Sequence, residues 1–283
     1  MNDAKLFFEG RTLLLPTKHG KERVLAPILE KGLGVQVVVA DVDTDVLGTF
    51  SGEIERTLDP VSAALAKCRL AFERFGADLA VASEGSFGPD PFVGMVPVNE
   101  ELLVLLDDRE RLQIQVAVRS TDTNFNAAEV TNRYQLEQFA AQVQFPSHAL
   151  ILRQSEGSLN KLHKGITQWD ALFSLFDQLR AEHDSVWVET DMRAHLNPSR
   201  MDVIASAAHR LMARIQSTCT ACGAPGFGIT EQVSGLPCDW CGTATRAELY
   251  AISECQRCGY RQEDWYRKGR KTEDPAYCER CNP

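Results

Sequence analysis

Between residues 12 and 215 short apolar runs alternate with amphipathic stretches, and the alternation predicts strands and helices in turn. Leu13–Leu15 is an apolar run, followed by a polar turn from Thr17 to Lys21. Val24, Leu25, Ile28 and Leu29 then recur at the spacing of one helix face, and Val35–Val39 reads as a strand. A second helix is expected over about Ser62–Phe75, with Leu65, Leu70, Phe72 and Phe75 as its buried positions. The strand expected next, Asp78–Ala82, ends abruptly in Ser83-Glu84-Gly85-Ser86-Phe87-Gly88. Glu101–Asp107 and Leu112–Arg119 read as a hairpin around Asp108–Arg111. Helices near Leu136–Val143 and Trp169–His183, strands at Ala149–Leu152 and Ser185–Glu189, and a last helix over about Arg200–Ile215 complete the series. The alternation predicts an α/β fold with a layered mixed sheet and flanking helices.

The pattern changes near residue 217. Eight of the nine cysteines lie between Cys219 and Cys281, as four C-x-x-C pairs: Cys219/Cys222, Cys238/Cys241, Cys255/Cys258 and Cys278/Cys281. Two thiolates three residues apart in a tight turn can face one ion, and two such knuckles complete a tetrahedral zinc site. Gly223, Gly242 and Gly259 follow three of the knuckles, where a chain wrapping a metal needs φ > 0. The chain therefore divides into an α/β domain, residues 1–217, and a small C-terminal zinc-ribbon region, residues 218–283, with two structural zinc ions in complete four-cysteine sites. Fifteen residues separate Cys222 from Cys238, and nineteen separate Cys258 from Cys278. Both gaps suit zinc ribbons, so the simplest pairing is sequential. Thirteen residues between Cys241 and Cys255 suit a ribbon hairpin too, which leaves a nested or crossed pairing open.

Composition narrows the partners. The 283 residues include 30 Lys and Arg against 39 Asp and Glu, a formal net charge of −9 that argues against coating nucleic acid non-specifically. No apolar run is long enough for a membrane span, the start MNDAKLFFEGRT lacks a signal-peptide core, and a cytoplasmic location is expected. Arg267, Lys268, Arg270 and Lys271 adjoin Trp265 and Tyr266, a combination that suits RNA. Residues 219–283 hold eight Lys or Arg against nine Asp or Glu, however, which favours docking on the α/β domain or on a protein partner.

Two polar segments follow strands, where an α/β sheet places its chemistry. Thr17-Lys18-His19-Gly20-Lys21, just before a helix, offers a phosphate seat. In Ala82-Ser83-Glu84-Gly85-Ser86 the carboxylate could bind Mg2+ or orient a water, the competing reading being a solvated turn. The succession of T-K-x-x-K, a helix carrying Lys67, the acidic segment ASEGSFG and a hairpin resembles the inosine-triphosphate-pyrophosphatase-like superfamily, most of all its branch acting on non-standard purine nucleotides. The match spans roughly residues 11–125, and the whole layout with its C-terminal cysteines also resembles an uncharacterised bacterial family. The resemblance implies that Thr17, Lys21 and Lys67 contact phosphate and that Glu84 binds metal or acts as base. Lys21 falls one residue early for that motif, His19 replaces an Asn, and Asp59 is the nearest acid upstream of Lys67.

The segment from Glu189 to Arg200 is the candidate second wall of the cleft, with Arg193 and Arg200 binding phosphate or carboxylate; a helix cap with local ion pairs is the alternative. Lys161-Leu162-His163-Lys164-Gly165 reads as a solvated loop, and Cys68 as core. The expected activity is Mg2+-dependent binding and hydrolysis of a nucleotide or related phosphorylated ligand. Thr17, Lys18, Lys21, Lys67, Ser86, Arg193 and Arg200 would hold phosphate, with Glu84 and Asp59 as the catalytic carboxylates that bind metal or orient water. The alternative is a non-enzymatic zinc-ribbon module that binds RNA or a protein, the α/β domain serving as a ligand-sensing scaffold. In a third arrangement the zinc region is a lid over the cleft.

Overall fold

The computed structural model describes residues 3–44, 57–90 and 94–283. The first layer is a five-stranded sheet in the order β2-β1-β3-β4-β5. Its strands are β1 (Thr12–Leu15), β2 (Gln36–Val39), β3 (Leu79–Pro89), β4 (Pro97–Asp107) and β5 (Leu112–Ser120). β1 runs parallel to β2 and β3, while β3, β4 and β5 are antiparallel. Helix α1 (Glu22–Leu33) joins β1 to β2, and α2 (Pro60–Phe75) precedes β3.

Strand parity decides which face each helix covers. Leu79, Val81, Leu103 and Leu105 pack with Leu25, Leu29 and Leu33 of α1, whereas Ala80, Ala82 and Val104 pack with Ala64, Cys68 and Ala71 of α2. The buried face of α2 is thus made of small residues rather than the large ones expected. Phe75 is exposed, and Leu65 and Phe72 are only partly buried. Small side chains let the helix lie close to the sheet. Cys68 is core as expected, and burial pushes its thiol up to about 12. With α1 and α2 on opposite faces, the strand order reverses between β1 and β3, and the carboxyl ends of two such strands are where an α/β sheet places its crevice.

The second layer is a four-stranded antiparallel sheet, order β6-β9-β7-β8, of β6 (Ala127–Val130), β7 (Leu150–Arg153), β8 (His163–Ile166) and β9 (Val186–Thr190). Its core includes Leu136 and Phe139 of α3 (Arg133–Gln142) and Leu172 and Phe176 of α4 (Trp169–Arg180). The sequence pattern misses β6 and β8. Both are edge strands, each with one fully buried residue, Val130 and Ile166, so neither shows an apolar run. The solvated loop expected at 161–165 is therefore largely strand. Helix α5 (Pro198–Gln216) returns to the first sheet, burying Ile204, Ala207, Leu211 and Ile215 beside α1. No helix among the described residues is long and apolar enough to cross a membrane.

Strand β3 departs most from expectation. It does not stop at Ala82 but continues to Pro89, because β4 pairs with it along its whole length, Leu79↔Asp107 to Pro89↔Pro97. β1 ends at Leu15, so Ser83–Pro89 projects past it and presents one edge to the crevice.

The C-terminal residues form a three-stranded antiparallel sheet of β10 (Gly228–Ser234), β11 (Glu248–Glu254) and β12 (Arg261–Trp265). This region docks on the first layer. Gln256 Oε1 accepts from the Gln113 backbone N–H (2.9 Å), and Gln256 Nε2 donates to the Gln113 carbonyl (2.7 Å). The Arg257 guanidinium lies 5.5 Å from the Phe7 ring centre. Gln113 follows the β4–β5 turn, which sits at the amino end of β3. The docked knuckle and the crevice are therefore at opposite ends of the sheet, and this knuckle is no lid.

Candidate functional site

Three cations converge where β3 outruns β1. Lys21, at the amino end of α1, is buried and its Nζ donates to Ser83 Oγ at 2.8 Å. Lys67, from the middle of α2, places Nζ 2.5 Å from Glu84 Oε1 and 3.5 Å from the Ser83 carbonyl oxygen. Arg200, in the first turn of α5, donates from Nε to Glu101 Oε1 at 2.7 Å and also to the Met192 carbonyl. Ser83 and Glu101 face α5 and Glu84 faces α2, by the alternation of β3 and β4. Gly85 makes the close approach possible: a Cβ there would stand 2.2 Å from the Arg200 guanidinium and 2.8 Å from Glu101 Oε1.

Burial pushes the Lys21 amine down to about 7, and the positive charges of Arg200 and Lys67 add to the effect. Among the described residues Glu84 and Glu101 are the carboxylates in contact with Lys67 and Arg200, while Lys21 meets Ser83. A cluster with more basic than acidic groups is chemically suited to an anion.

The other expected residues fall outside this cluster or along its rim. Thr17 Oγ1 donates to the Lys18 carbonyl (2.9 Å), and Lys18 Nζ contacts Asp43 (2.7 Å). Asp59 caps α2, accepting from the Val61 and Ser62 backbone N–H groups at 3.0 and 3.1 Å. Eight residues of helix, about 12 Å along the axis, separate it from Lys67. Ser86 lies opposite Glu100 in the β3–β4 ladder, on the α2 side of the strand. Arg193 donates to Asp191 from Nε (3.0 Å) and the terminal nitrogen (2.6 Å), and buried Asp191 also accepts from the Gly165 N–H (3.0 Å). Asn197 caps α5 by accepting from the Arg200 backbone N–H (3.0 Å), so the cap and ion pairs of the alternative reading are present, and the two polar segments also meet. His19 stacks on His195 at 5.3 Å between ring centres, and Gly20 lies against His195. Burial and Arg193 lower the pKa of His195.

The carboxylates do not fit a protein-held Mg2+. Glu84 and Glu101 point to opposite faces and each holds a cation, while Asp59 is taken by its helix. Among the described residues, the groups of three or more acidic, His or Cys side chains able to share an ion are cysteine clusters only.

Those clusters correct the sequential pairing. Cys219, Cys222, Cys255 and Cys258 form one group, and Cys238, Cys241, Cys278 and Cys281 the other. The pairing is interleaved because the β10–β11 hairpin lies between knuckles one and three. Gly228↔Glu254 places the start of β10 beside the end of β11, which brings Cys222 Sγ to 3.6 Å from Cys255 Sγ. A bridge between Cys238 and Glu273 carries the last knuckle to the second, with Cys241 and Cys278 Sγ 3.7 Å apart. A tetrahedral zinc with Zn–S of about 2.3 Å requires sulfurs about 3.8 Å apart. Both groups are thus compatible with zinc. Gly223, Gly242 and Gly259 have φ near +70°, as the knuckle turns require.

A family model described as "Domain of unknown function (DUF6671)" matches residues 67–283. The chain belongs to the DUF6671 family. The DUF6671 match takes in Lys67, Glu84, Arg200 and all eight clustered cysteines, and begins after the Thr17–Lys21 loop. A search of curated proteins found no match.

Ser83 was visible in the sequence only as part of a turn, and Glu101 only as part of a strand. The available signal for Glu101 was an acid directly before the apolar run Leu102–Leu106 and in alternation with its inward positions Leu103 and Leu105.

Proposed function

We propose that the crevice beyond β1 and β3 binds the phosphate groups of a small phosphorylated molecule and hydrolyses a phosphate linkage in it. A nucleotide is the ligand class supported by the resemblance of residues 11–125 to the inosine-triphosphate-pyrophosphatase-like superfamily. The supporting observation is the convergence of Lys21, Lys67 and Arg200 on two carboxylates. An arriving phosphate takes over Lys67, and Glu84, released from it, orients the attacking water. Each four-cysteine group holds one structural zinc, since four thiolates leave no open position. RNA binding by the zinc region is the weaker reading. Its basic run is engaged by acids: Arg267 and Lys268 pair with Glu248, and Arg270 with Glu273.

The test is a thermal-shift series on zinc-loaded protein with tripolyphosphate and nucleoside mono-, di- and triphosphates, with and without Mg2+. A ligand selective for the native state raises Tm by mass action. The expected result is a rise that Lys21→Ala abolishes, with phosphate release lost in Glu84→Gln. If no phosphate-bearing ligand raises Tm, the reading fails.

A further inference from the structure

Among the described residues, one buried side chain near the cation cluster has no hydrogen-bond partner for either of its polar atoms. Asn99 is 1% exposed, and neither its Nδ2 nor its Oδ1 makes a hydrogen bond. A buried amide left in this state costs stability, so native structures rarely keep one without a use. Two residues along β4, on the same face, Glu101 Oε2 is likewise buried and unpartnered, although Oε1 is held by Arg200. Across the ladder Asn99 faces Phe87. The Phe87 ring lies 5.0 Å from the Arg200 guanidinium and 5.7 Å from the Phe125 ring centre. Cation, aromatic ring and free amide therefore succeed one another along a single face, and Asn99 stands about 7 Å from Glu101 along the strand. Phosphate at one end and a planar group at the other fit within one small molecule.

We propose that Asn99 is the specificity-determining residue of this crevice and that the ligand carries a planar group with a donor and an acceptor side by side, as the edge of a nucleobase does. The amide presents the complementary pair, one acceptor and one donor, and so holds such an edge bidentately. Phe87 supplies an apolar surface beside it. A base-free sugar phosphate or polyphosphate would leave the amide orphaned. This inference rests on the phosphate-seat reading above and adds to it what the other end of the ligand must be.

Calorimetric titration of the full-length, zinc-loaded protein with tripolyphosphate and with nucleoside triphosphates tests it. Asn99→Ala is expected to weaken the best nucleotide by about 10- to 100-fold, the value of one bidentate pair. Tripolyphosphate affinity is expected to be unchanged. In the ligand-free protein Asn99→Leu should raise Tm, because it removes an unpaired polar group, and the same variant should lose the nucleotide preference. Equal weakening of both ligands by Asn99→Ala, or of neither, overturns the assignment. So does an unchanged nucleotide preference in Asn99→Leu, which would mark the niche as holding only buried water. Tripolyphosphate that binds wild type as tightly as any nucleotide sinks the inference but leaves the seat intact. A nucleoside that binds through Asn99 while tripolyphosphate fails to bind sinks the seat alone. No binding of either ligand overturns both.

Discussion

Lys21 carries a proton balance that can be read in solution. Its ordinary pKa is near 10.4, and burial brings it to about 7 in the folded chain. Between those values the unfolded chain holds a proton that the folded chain lacks, so the lysine's contribution makes stability rise with pH, by at most about 1.4 kcal/mol per unit. Below about pH 7 both states are protonated and the slope vanishes. Lys21→Met should remove this slope, which denaturant melts of the two proteins between pH 6 and pH 9, as a pH window spanning the shifted value, would show. Anion binding works in the opposite sense, because phosphate favours the charged amine. Tripolyphosphate should therefore bind with proton uptake above pH 7 in wild type and without this uptake in Lys21→Met. Titration in buffers of different ionisation enthalpy measures it directly, and identical proton counts in the two proteins would exclude Lys21 from the seat. Asp59 provides the contrast at the same scale. As a helix cap it should lower Tm when changed to Ala while leaving ligand affinity untouched. A loss of phosphate release without a loss of stability would instead restore it as a catalytic carboxylate. Lys21, Glu84 and Arg200 were legible as polar residues in segments that follow strands, and Lys67 only through the resemblance that places a basic residue on the helix. Their counterparts Ser83, Glu101 and Asn99 were not, because only strand parity, known once the pairing is known, tells which side chains of β3 and β4 share a face.

The element that most escaped the sequence is β3 beyond Ala82. Glu84, Gly85, Ser86 and Gly88 have poor intrinsic strand preference, so the segment reads as a turn. Continuous pairing with β4, from Ser83↔Leu103 to Pro89↔Pro97, overrides that preference, and the same override turns a loop motif into a strand that outruns β1 with Ser83 and Gly85 buried. Gly85 is confined by this geometry. Gly85→Ala should displace Arg200 from Glu101 and destabilise the fold by roughly 1–3 kcal/mol, the usual cost of overpacking. The cysteine elements teach a related lesson. Four identical spacings specify zinc knuckles but cannot specify partners, and the choice is made by a hairpin whose strands are mostly exposed and so leave little hydrophobic signal. The interleaved arrangement has a sharp consequence for metal content. A Cys219→Ser, Cys255→Ser double variant damages one site twice and should retain about one zinc per chain, because four intact thiolates still bind a structural ion outright. Under sequential pairing the same two changes strike both sites. Elemental analysis of the purified variant separates the two outcomes, and a zinc-free product would reject the interleaved pairing.

At the scale of the whole molecule, the α5 return was illegible, and docking of the zinc region was expected from its charge balance only as one of two alternatives, with its place on β5 hidden because it depends on contacts far apart in sequence. They also set what the cysteine region can do for the crevice. Gln256 belongs to the third knuckle and holds Gln113 by two hydrogen bonds, and a Cβ at Gly226 would come within 2.7 Å of Ile114. This seam covers β5 at the end of the sheet where β3 begins. Through the ladders Gln113 and Ile114 stand level with Ala80 and Val81, so Ser83 lies two to three residues further along β3, about 7–10 Å, and two strands across, about 10 Å. Removing the metal should therefore unfold the C-terminal sheet, whose few buried residues, Ala224, Phe227, Ala251 and Ile252 among them, cannot hold it alone, and should lower the Tm of the remainder by uncovering Ile114. Phosphate binding, by contrast, should survive, because Lys21, Lys67 and Arg200 have their contacts within the α/β layers among the described residues, and α5 meets the zinc region only at its far end, where Arg214 lies against Gly228. Tripolyphosphate titration after chelation, followed by circular dichroism to confirm the loss of C-terminal strand, reads both effects on one sample. Retained affinity in a protein whose zinc sheet has melted fits a brace at the far end of the molecule. Affinity lost in step with the metal would mean that the second cysteine group reaches the crevice after all, and that the zinc region closes over the ligand.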